Sequence, residues 1–598
     1  MVMMRAPPAY LLFGVLLALL GVAQGANTPG NRPVEQSTSD PCSRPAAGGT
    51  VPEPREVRSQ NGTLELDLSV ENVKEADGTT RFCYRTKDGS QSPTLRLKPG
   101  DWLVLRLTNR LVDLETAARG PAAPQATPPR TAPQSHHHGG DSTDPCLSGT
   151  MSLISTNLHF HGLTLPAVCH QDEVLKTSIA PGSAPFEYRF RIPEDESPGL
   201  YWYHPHIHGF SARQVSGGAS GALIIEGLER SIADIAGLPE RVLIIRDQDL
   251  LHPEAAPAAV DAKTTPFIDH DGDAMNTGTG FGRPARDLSV NFVPVPYPDY
   301  PAPSLTMKPG ERQLWRVLNA SSVTYLNIGL VWTRSHWRKE QFMGLVAVDG
   351  VPLNAKGSPE PSFQWRDRVL VPPGGRAELI INGPPAGTAA QLVTRFVDTG
   401  PAGENDPNRP LVAILTDAVA PEPTATVPKE TQPPAPPERP WVGSVTPQRT
   451  RKLILSEEPA DPAEPNGAMR FYITVEGQAR KLFDPASAEP NIVAHEGDVE
   501  DWLIENRSSE LHAFHIHQIH FEIVEWLGVT VNEPFLRDTI NVPYWTPRMT
   551  SYPTIRLRMD FRDPNTVGTF PFHCHLLDHE DSGMMGLVRV EPRAVPPQ

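Results

Sequence analysis

Three copies of one short pattern restrict what this chain can fold into. Pro99-Gly100-Asp101-Trp102 runs through alternating apolar residues to Asn109. Pro309-Gly310-Glu311 runs through Trp315 and Val317 to Asn319, and Glu496-Gly497-Asp498 runs through Trp502 and Ile504 to Asn506. The glycine-to-asparagine spacing is nine residues each time. A glycine turn that feeds a period-2 run is a turn entering a half-buried strand. Its recurrence at matched spacing implies a repeated β domain. A second repeat ties the outer copies, Gly199-Leu-Tyr-Trp-Tyr-His204-Pro-His206 against Gly568-Thr-Phe-Pro-Phe-His573-Cys574-His575. A third pairs Asn157-Leu-His159-Phe-His161 with Ala513-Phe-His515-Ile-His517, and the middle copy has neither histidine pair.

Composition points the same way. The chain holds 66 prolines in 598 residues, about twice the usual share of about 5%, which disfavours a helical protein. Short strands bounded by Gly and Pro favour Greek-key β-sandwiches, so the expected fold is all-β with three tandem domains. The first runs from about Val51 to Gly227, the second from about Ser231 to Ala418, and the third from about Arg449 to Pro592. A Pro- and Thr-dense stretch, Val419 to Pro447, reads as an extended linker. An insertion from Leu111 to Thr150 carries His136-His137-His138, read as part of a solvated low-complexity loop. Asp269-His270-Asp271-Gly272-Asp273 resembles the start of a calcium loop but lacks the downstream Glu, so turn chemistry is preferred. With 70 acidic against 53 basic residues, a nucleic-acid or anionic-membrane partner is disfavoured.

Residues 1–25 read as a cleaved secretory signal: Arg5 in the n-region, an apolar stretch from Tyr10 to Val22, and Ala23-Gln24-Gly25 at the cleavage site. The apolar stretch is shorter than the roughly 20 residues a membrane span requires. The mature protein is therefore expected to be secreted or periplasmic, without a span. Of five cysteines, Cys42, Cys83, Cys146 and Cys169 are expected to pair in sequence order, Cys42–Cys83 and Cys146–Cys169. Cys574 stands apart in His-Cys-His.

On a strand, residues i and i+2 point to one side and i+1 to the other. His159/His161, His204/His206, His515/His517 and His573/His575 therefore each aim two imidazoles at one volume, and eight imidazoles suit a metal cluster rather than a single ion. Cys574 faces the opposite way, toward a second site for which His512 and His579 are the histidines left over. Two His, one thiolate and a distant thioether, supplied by Met584, make a blue-copper set, and soft sulfur with imidazole selects copper over zinc. A lone His-x-His is weak evidence; all four segments on repeat-related strands are not.

These segments resemble those of the multicopper oxidases, specifically the three-domain bacterial laccase-like group, over roughly residues 51–592. The resemblance implies cupredoxin-like domains and four copper ions. Type 1 copper would take His512, Cys574, His579 and axial Met584; type 2 would take His159 and His515. The paired type 3 ions would take His161, His204, His206, His517, His573 and His575. It implies a cluster between the first and third domains, single electrons taken from a phenolic or aromatic amine donor at type 1 copper, passage to the cluster through Cys574, and reduction of O2 to water. Glu580 and Asp172 resemble acidic positions that deliver protons to the cluster, although Val168-Cys169-His170-Gln171 departs from the commoner spacing before Asp172.

The leading expectation is thus a laccase-like oxidase, with a monomer sufficient. The nearest rival is a metallo-oxidase for Cu(I) or Fe(II), weakened because no methionines cluster outside the start and Met584-Met585. A copper carrier would leave eight histidines without purpose, and a nitrite reductase of the two-domain kind would not have three domains. An axial Met predicts a low-potential site.

Overall fold

The computed structural model describes residues 40–593 except 77, 115–143, 256–264, 336, 356–362, 417–439, 465–466 and 488. The expected signal sequence, the His136–His138 tract and most of the expected linker lie outside the described residues. Six sheets follow one another in pairs along the chain, and the fold is three cupredoxin-like β-sandwiches in tandem.

The repeat seen in the sequence occupies one structural position three times. Trp102–Asn109, Arg312–Asn319 and Val499–Asn506 are each an inner strand. Each lies parallel to the first long strand of its sandwich (Thr63–Lys74, Glu240–Gln248, Arg449–Pro459). Each is antiparallel to a later one (Phe186–Arg191, Arg376–Asn382, Thr554–Asp560). The turn glycine is left-handed in all three, with φ of 86°, 73° and 94° at Gly100, Gly310 and Gly497, a conformation other residues adopt only with strain. The closing asparagine is buried and caps two loop carbonyls with its amide. Asn109 reaches Ile154 and Ile179 (2.8 and 2.7 Å), Asn319 reaches Thr324 and Val371 (2.9 and 3.0 Å), and Asn506 reaches Glu510 and Val542 (2.8 and 3.3 Å). An unsatisfied carbonyl at these strand ends would be costly, which gives the repeated Asn its physical reason.

The histidine-bearing strands belong to the second sheet of each outer sandwich. In the first, His159–His161 lies at the edge beside Gly199–His204; in the third, His512–Ile516 lies between Thr539–Val542 and Gly568–Cys574. Both expected disulfides are present, Cys42–Cys83 and Cys146–Cys169, with Cα separations of 5.5 and 5.6 Å, and Cys574 is free and buried. Among the described residues no helix is long and apolar enough to cross a membrane.

Candidate metal centre

Strand register decides which side chains meet. His515 is opposite His573 and Phe514 opposite Cys574, so two imidazoles share one face while the thiol points to the other. His512, three residues before His515, falls on the thiol's face by the same alternation. In the first sandwich His159 is opposite His204 and His161 opposite Trp202, and Trp202 stacks on His204 at 4.0 Å between ring centres. The faces of the first and third sandwiches then meet, with His159 stacked on His517 at 3.8 Å and His161 on His515 at 4.0 Å.

The ligand atoms converge in four groups, each within 4.8 Å internally: His159, His161 and His515; His161, His204 and His575; His206, His517 and His573; and His512, Cys574 and His579. All twelve residues singled out in the sequence are buried. Met584 is buried in the same core as Cys574, and its backbone is held between Cys574 N (3.1 Å) and His579 O (2.9 Å).

Five cluster imidazoles have one nitrogen tethered from outside, His159, His161, His204, His515 and His573. His159 Nδ1 is 3.0 Å from both Asp172 oxygens, His204 Nδ1 2.9 Å from Pro205 O, His515 Nδ1 2.9 Å from Asp538 O and His573 Nδ1 3.0 Å from Cys574 O. His161 is held the other way round, through Nε2 to Asp538 at 3.2 Å. In the second site His512 Nε2 bonds Ser508 Oγ at 2.6 Å and His579 Nε2 lies 3.4 Å from Glu510. Their Nδ1 atoms face Cys574 Sγ at 3.7 and 3.9 Å. Such outer tethers fix tautomer and ring direction in metal sites.

A metal fits this donor set. His159 Nε2, His161 Nδ1, His204 Nε2, His515 Nε2, His517 Nδ1 and both nitrogens of His575 are buried without a partner, a costly state unless an ion completes them. Burial is the main cause that holds the His161, His204, His206, His515, His517 and His575 imidazoles far below their usual range, and it pushes His512 and His573 down to about 3. The rings are therefore neutral and able to ligate. Burial pushes the Cys574 thiol up to about 12, so a thiolate here requires a cation beside it.

Asp172 is buried and accepts from Phe160 N (2.8 Å) and Gln518 Nε2 (2.6 Å) as well as meeting His159. The unusual spacing before it is accounted for by the Cys146–Cys169 bond and by the turn at His170, whose φ is 66°. Glu580 accepts from Ser211 Oγ at 3.3 Å and lies 3.6 Å from His206 Nε2 and 3.4 Å from His573 Nδ1. Burial first, then Asp581, raises its carboxyl well above the usual range.

Two residues of the site were missed. Asp538 joins His161 and the backbone carbonyl tether of His515, and forms a bidentate ion pair with Arg376 at 2.7 and 2.6 Å. Arg376 comes from the middle sandwich and also donates to Leu200 O in the first at 3.1 Å. Neither lies near a histidine motif, so spacing carried no signal for them.

Three cavities reach the two sites. One of about 750 Å³ opens on His579 and is lined by seven acids, Asp269, Asp271, Asp273, Glu404, Glu457, Glu510 and Asp578, and by Phe471, which stacks on His579 at 3.8 Å. The Asp269–Asp273 segment is a turn, with Asp271 N and Asp273 N donating to Asp269 Oδ1 at 3.0 and 2.9 Å; that it walls this cavity was not foreseen. A second, of about 480 Å³, reaches His206, and a third, of about 170 Å³, reaches Gln518 and His520.

Sequence profiles of the multicopper oxidases match residues 153–230 and 462–594, the segments that carry the twelve residues. A multicopper oxidase of Staphylococcus aureus is 24% identical over 443 residues, covering 73% of this chain and 77% of that protein. The chain belongs to the multicopper oxidases. Membership carries copper and oxidase chemistry with it. Solved structures share the fold: McoA from Aquifex aeolicus superposes with a TM-score of 0.60 at 18% identity, over 91% of this chain and 99% of that one. A multicopper oxidase of Campylobacter jejuni, described as a metallo-oxidase, gives 0.58 at 21% identity, over 94% and 98%.

Proposed function

We propose that this multicopper oxidase holds four copper ions. His512, Cys574, His579 and Met584 would hold the type 1 ion, His159 and His515 the type 2 ion, and His161, His204, His206, His517, His573 and His575 the paired type 3 ions. The observation that carries this is the set of partnerless buried imidazole nitrogens around one volume, next to a second volume holding one thiol. Copper bound there supplies one-electron oxidation of a donor and reduction of dioxygen to water. The chain's own contribution is placement. Cys574 is covalently flanked by His573 and His575, so the two ligand sets share one strand. Asp172 and Glu580 are buried carboxyl groups against the cluster imidazoles, Asp172 at His159 and Glu580 at His206 and His573, and serve to hold and deliver protons. The test is metal analysis with oxygen uptake: four coppers per chain and a blue visible band support the reading, and fewer than four in fully loaded protein contradict it.

The donor binds in the cavity at His579. Its size and the Phe471 ring suit phenols and aromatic amines, the laccase-like reading. The seven acidic side chains favour a second reading, oxidation of Fe(II) or Cu(I), because a cleft of one sign concentrates counter-ions. Turnover of Fe(II), Cu(I), a cationic aromatic amine and a neutral phenol, compared across salt concentrations, separates them. The cations should lose rate with salt and the phenol should not. The two disulfides support export to an oxidising compartment, secreted or periplasmic, which fractionation of expressing cells would check.

A further inference from the structure

Away from the copper ligands, the Arg246 guanidinium is buried without a bonded acid, near the half-buried Arg44. Arg246, on the strand Glu240–Gln248, is 2% exposed. Its Nε and Nη2 donate to Ser220 Oγ and O, both at 2.8 Å, and Nη1 has no partner. Arg44 donates to Gln91 Oε1 (2.5 Å) and to Phe82 O and Gly217 O (3.1 Å each). The Phe292 ring lies between them, 3.9 Å from each guanidinium carbon, and is held there by a turn in which Asn291 and Phe292 both have positive φ (47° and 70°). A small cavity of about 40 Å³ is lined by Arg44, Arg81 and Arg246.

The acids at this cavity are committed elsewhere. Asp247 accepts from Ser322 N and Oγ, Val323 N and Thr324 N, and Asp249 pairs with Arg286 at 2.6 Å. Among the described residues, ion pairs join Arg81 to Glu75 (3.2 Å), while the bonds of Arg44 and Arg246 all go to neutral acceptors. Burial is the first cause that lowers both; Arg246 and then Arg81 repel Arg44, which Asp40 and Glu75 partly offset, while Arg246 is pushed down to about 9. Buried charge without a counter-charge is the arrangement proteins avoid.

We propose that this pocket binds one small inorganic anion, a halide or a compact oxyanion, against the Arg246 guanidinium. A water needs roughly 10–15 Å³ of such space, so the cavity admits one small ion and excludes nucleotides and larger carboxylates. The anion fastens the segment anchored by Cys42–Cys83 and the turn Ser216–Gly218 onto the first strand of the middle sandwich.

Thermal unfolding of the copper-loaded protein tests this at fixed ionic strength, with a bulky organic sulfonate exchanged for chloride, nitrate or phosphate in separate arms. The parent's midpoint should climb with the logarithm of anion concentration, by about 2–4 °C over the saturating range, and the arm that responds identifies halide or oxyanion. Arg246→Gln should be flat. Because it removes the uncompensated charge, it should be at least as stable as the parent without the anion and less stable with it. Parallel slopes in both proteins, or no slope in the parent, overturn the proposal. Independently of any variant, crystals soaked in bromide should show an anomalous peak in the cavity lined by Arg44, Arg81 and Arg246; an empty pocket at saturating bromide overturns it as well.

Discussion

Gly374 is where the middle sandwich touches the cluster, and its replacement by alanine separates two effects that one number would confuse. Gly374 has φ of +80°, and a Cβ built on it meets the His575 ring at 2.7–2.8 Å. The backbone conformation alone costs a non-glycine residue about 1–2 kcal/mol. Gly387 has φ of +71° with nothing within 4 Å of its Cβ, so Gly387→Ala measures that cost by itself. Restoring an ordinary 3.4 Å contact at Gly374→Ala requires the imidazole to retreat by 3.4 − 2.7, about 0.7 Å. Ligand distances in metal sites tolerate about 0.2 Å, so His575 cannot stay where it is. Both variants should lose a similar increment of stability in urea. Only Gly374→Ala should bind one copper at least about tenfold more weakly, a loss of the size that outer-shell damage produces, with weakened near-ultraviolet absorption of the coupled pair and an unaltered blue band. A Gly374→Ala protein with four coppers and parental spectra would refute the reasoning, because the ring would then not be packed as described.

Other consequences are equally specific. Arg376→Leu strands Asp538 in a site of 0% exposure, so urea unfolding should show a loss of about 3–5 kcal/mol. Adding Asp538→Leu should recover part of it, and a single variant as stable as the parent would remove the ion pair from the account. Ser508→Ala deletes the 2.6 Å bond to His512 Nε2; type 1 copper should bind about 10–100-fold more weakly while cluster copper is unchanged, as metal analysis with spin resonance would show. Burial, with help from neighbouring acids, pushes the Asp273 carboxyl up to about 7, so the cavity at His579 gains negative charge as pH rises through 7. The kcat/KM for a permanently cationic aromatic amine, divided by that for a neutral phenol, should therefore rise from pH 6 to 8 and flatten in high salt. The same raised carboxyl keeps its proton in the folded chain but not in the unfolded one between about pH 4 and 7. Its contribution to stability is thus fully present below that window and is lost as pH rises across it, which unfolding midpoints of Asp273→Asn against the parent would reveal.

What was legible in the sequence is what strand alternation transmits. His573, Cys574 and His575 are consecutive, so their opposite directions follow from one rule, and the nine-residue repeat locates the same inner strand three times. The outer tethers divide by the same criterion. Asp172 and Glu580 were reachable because each sits close to a histidine motif. Asp538 and Arg376 were not, because what matters about them is a contact made across sandwiches, and no period records it. The Asp269–Asp273 turn was read correctly as local chemistry, yet its role as a cavity wall depends on Glu404, Glu457, Glu510 and Asp578 arriving from other parts of the chain.

The middle sandwich supplies none of the twelve residues, yet the site depends on it. The first and third sandwiches bring imidazoles together face to face, but a face-to-face arrangement leaves sliding unrestrained. The middle copy removes that freedom from the side. Arg376 bonds Leu200 O in one and Asp538 in the other, Glu378 accepts Leu200 N at 3.2 Å, and Asp349 O meets His520 Nε2 at 3.0 Å. It reaches the thiol site too, where Tyr325 Oη donates to Leu511 O at 2.9 Å, one residue from His512, and Ser322 O accepts Leu577 N at 2.8 Å, two residues from His579. Ligand geometry that must hold to about 0.2 Å is thus fixed by three bodies rather than two. The ligand-free copy serves this purpose by supplying Arg376, the cationic half of the ion pair with Asp538, and the close-packed Gly374.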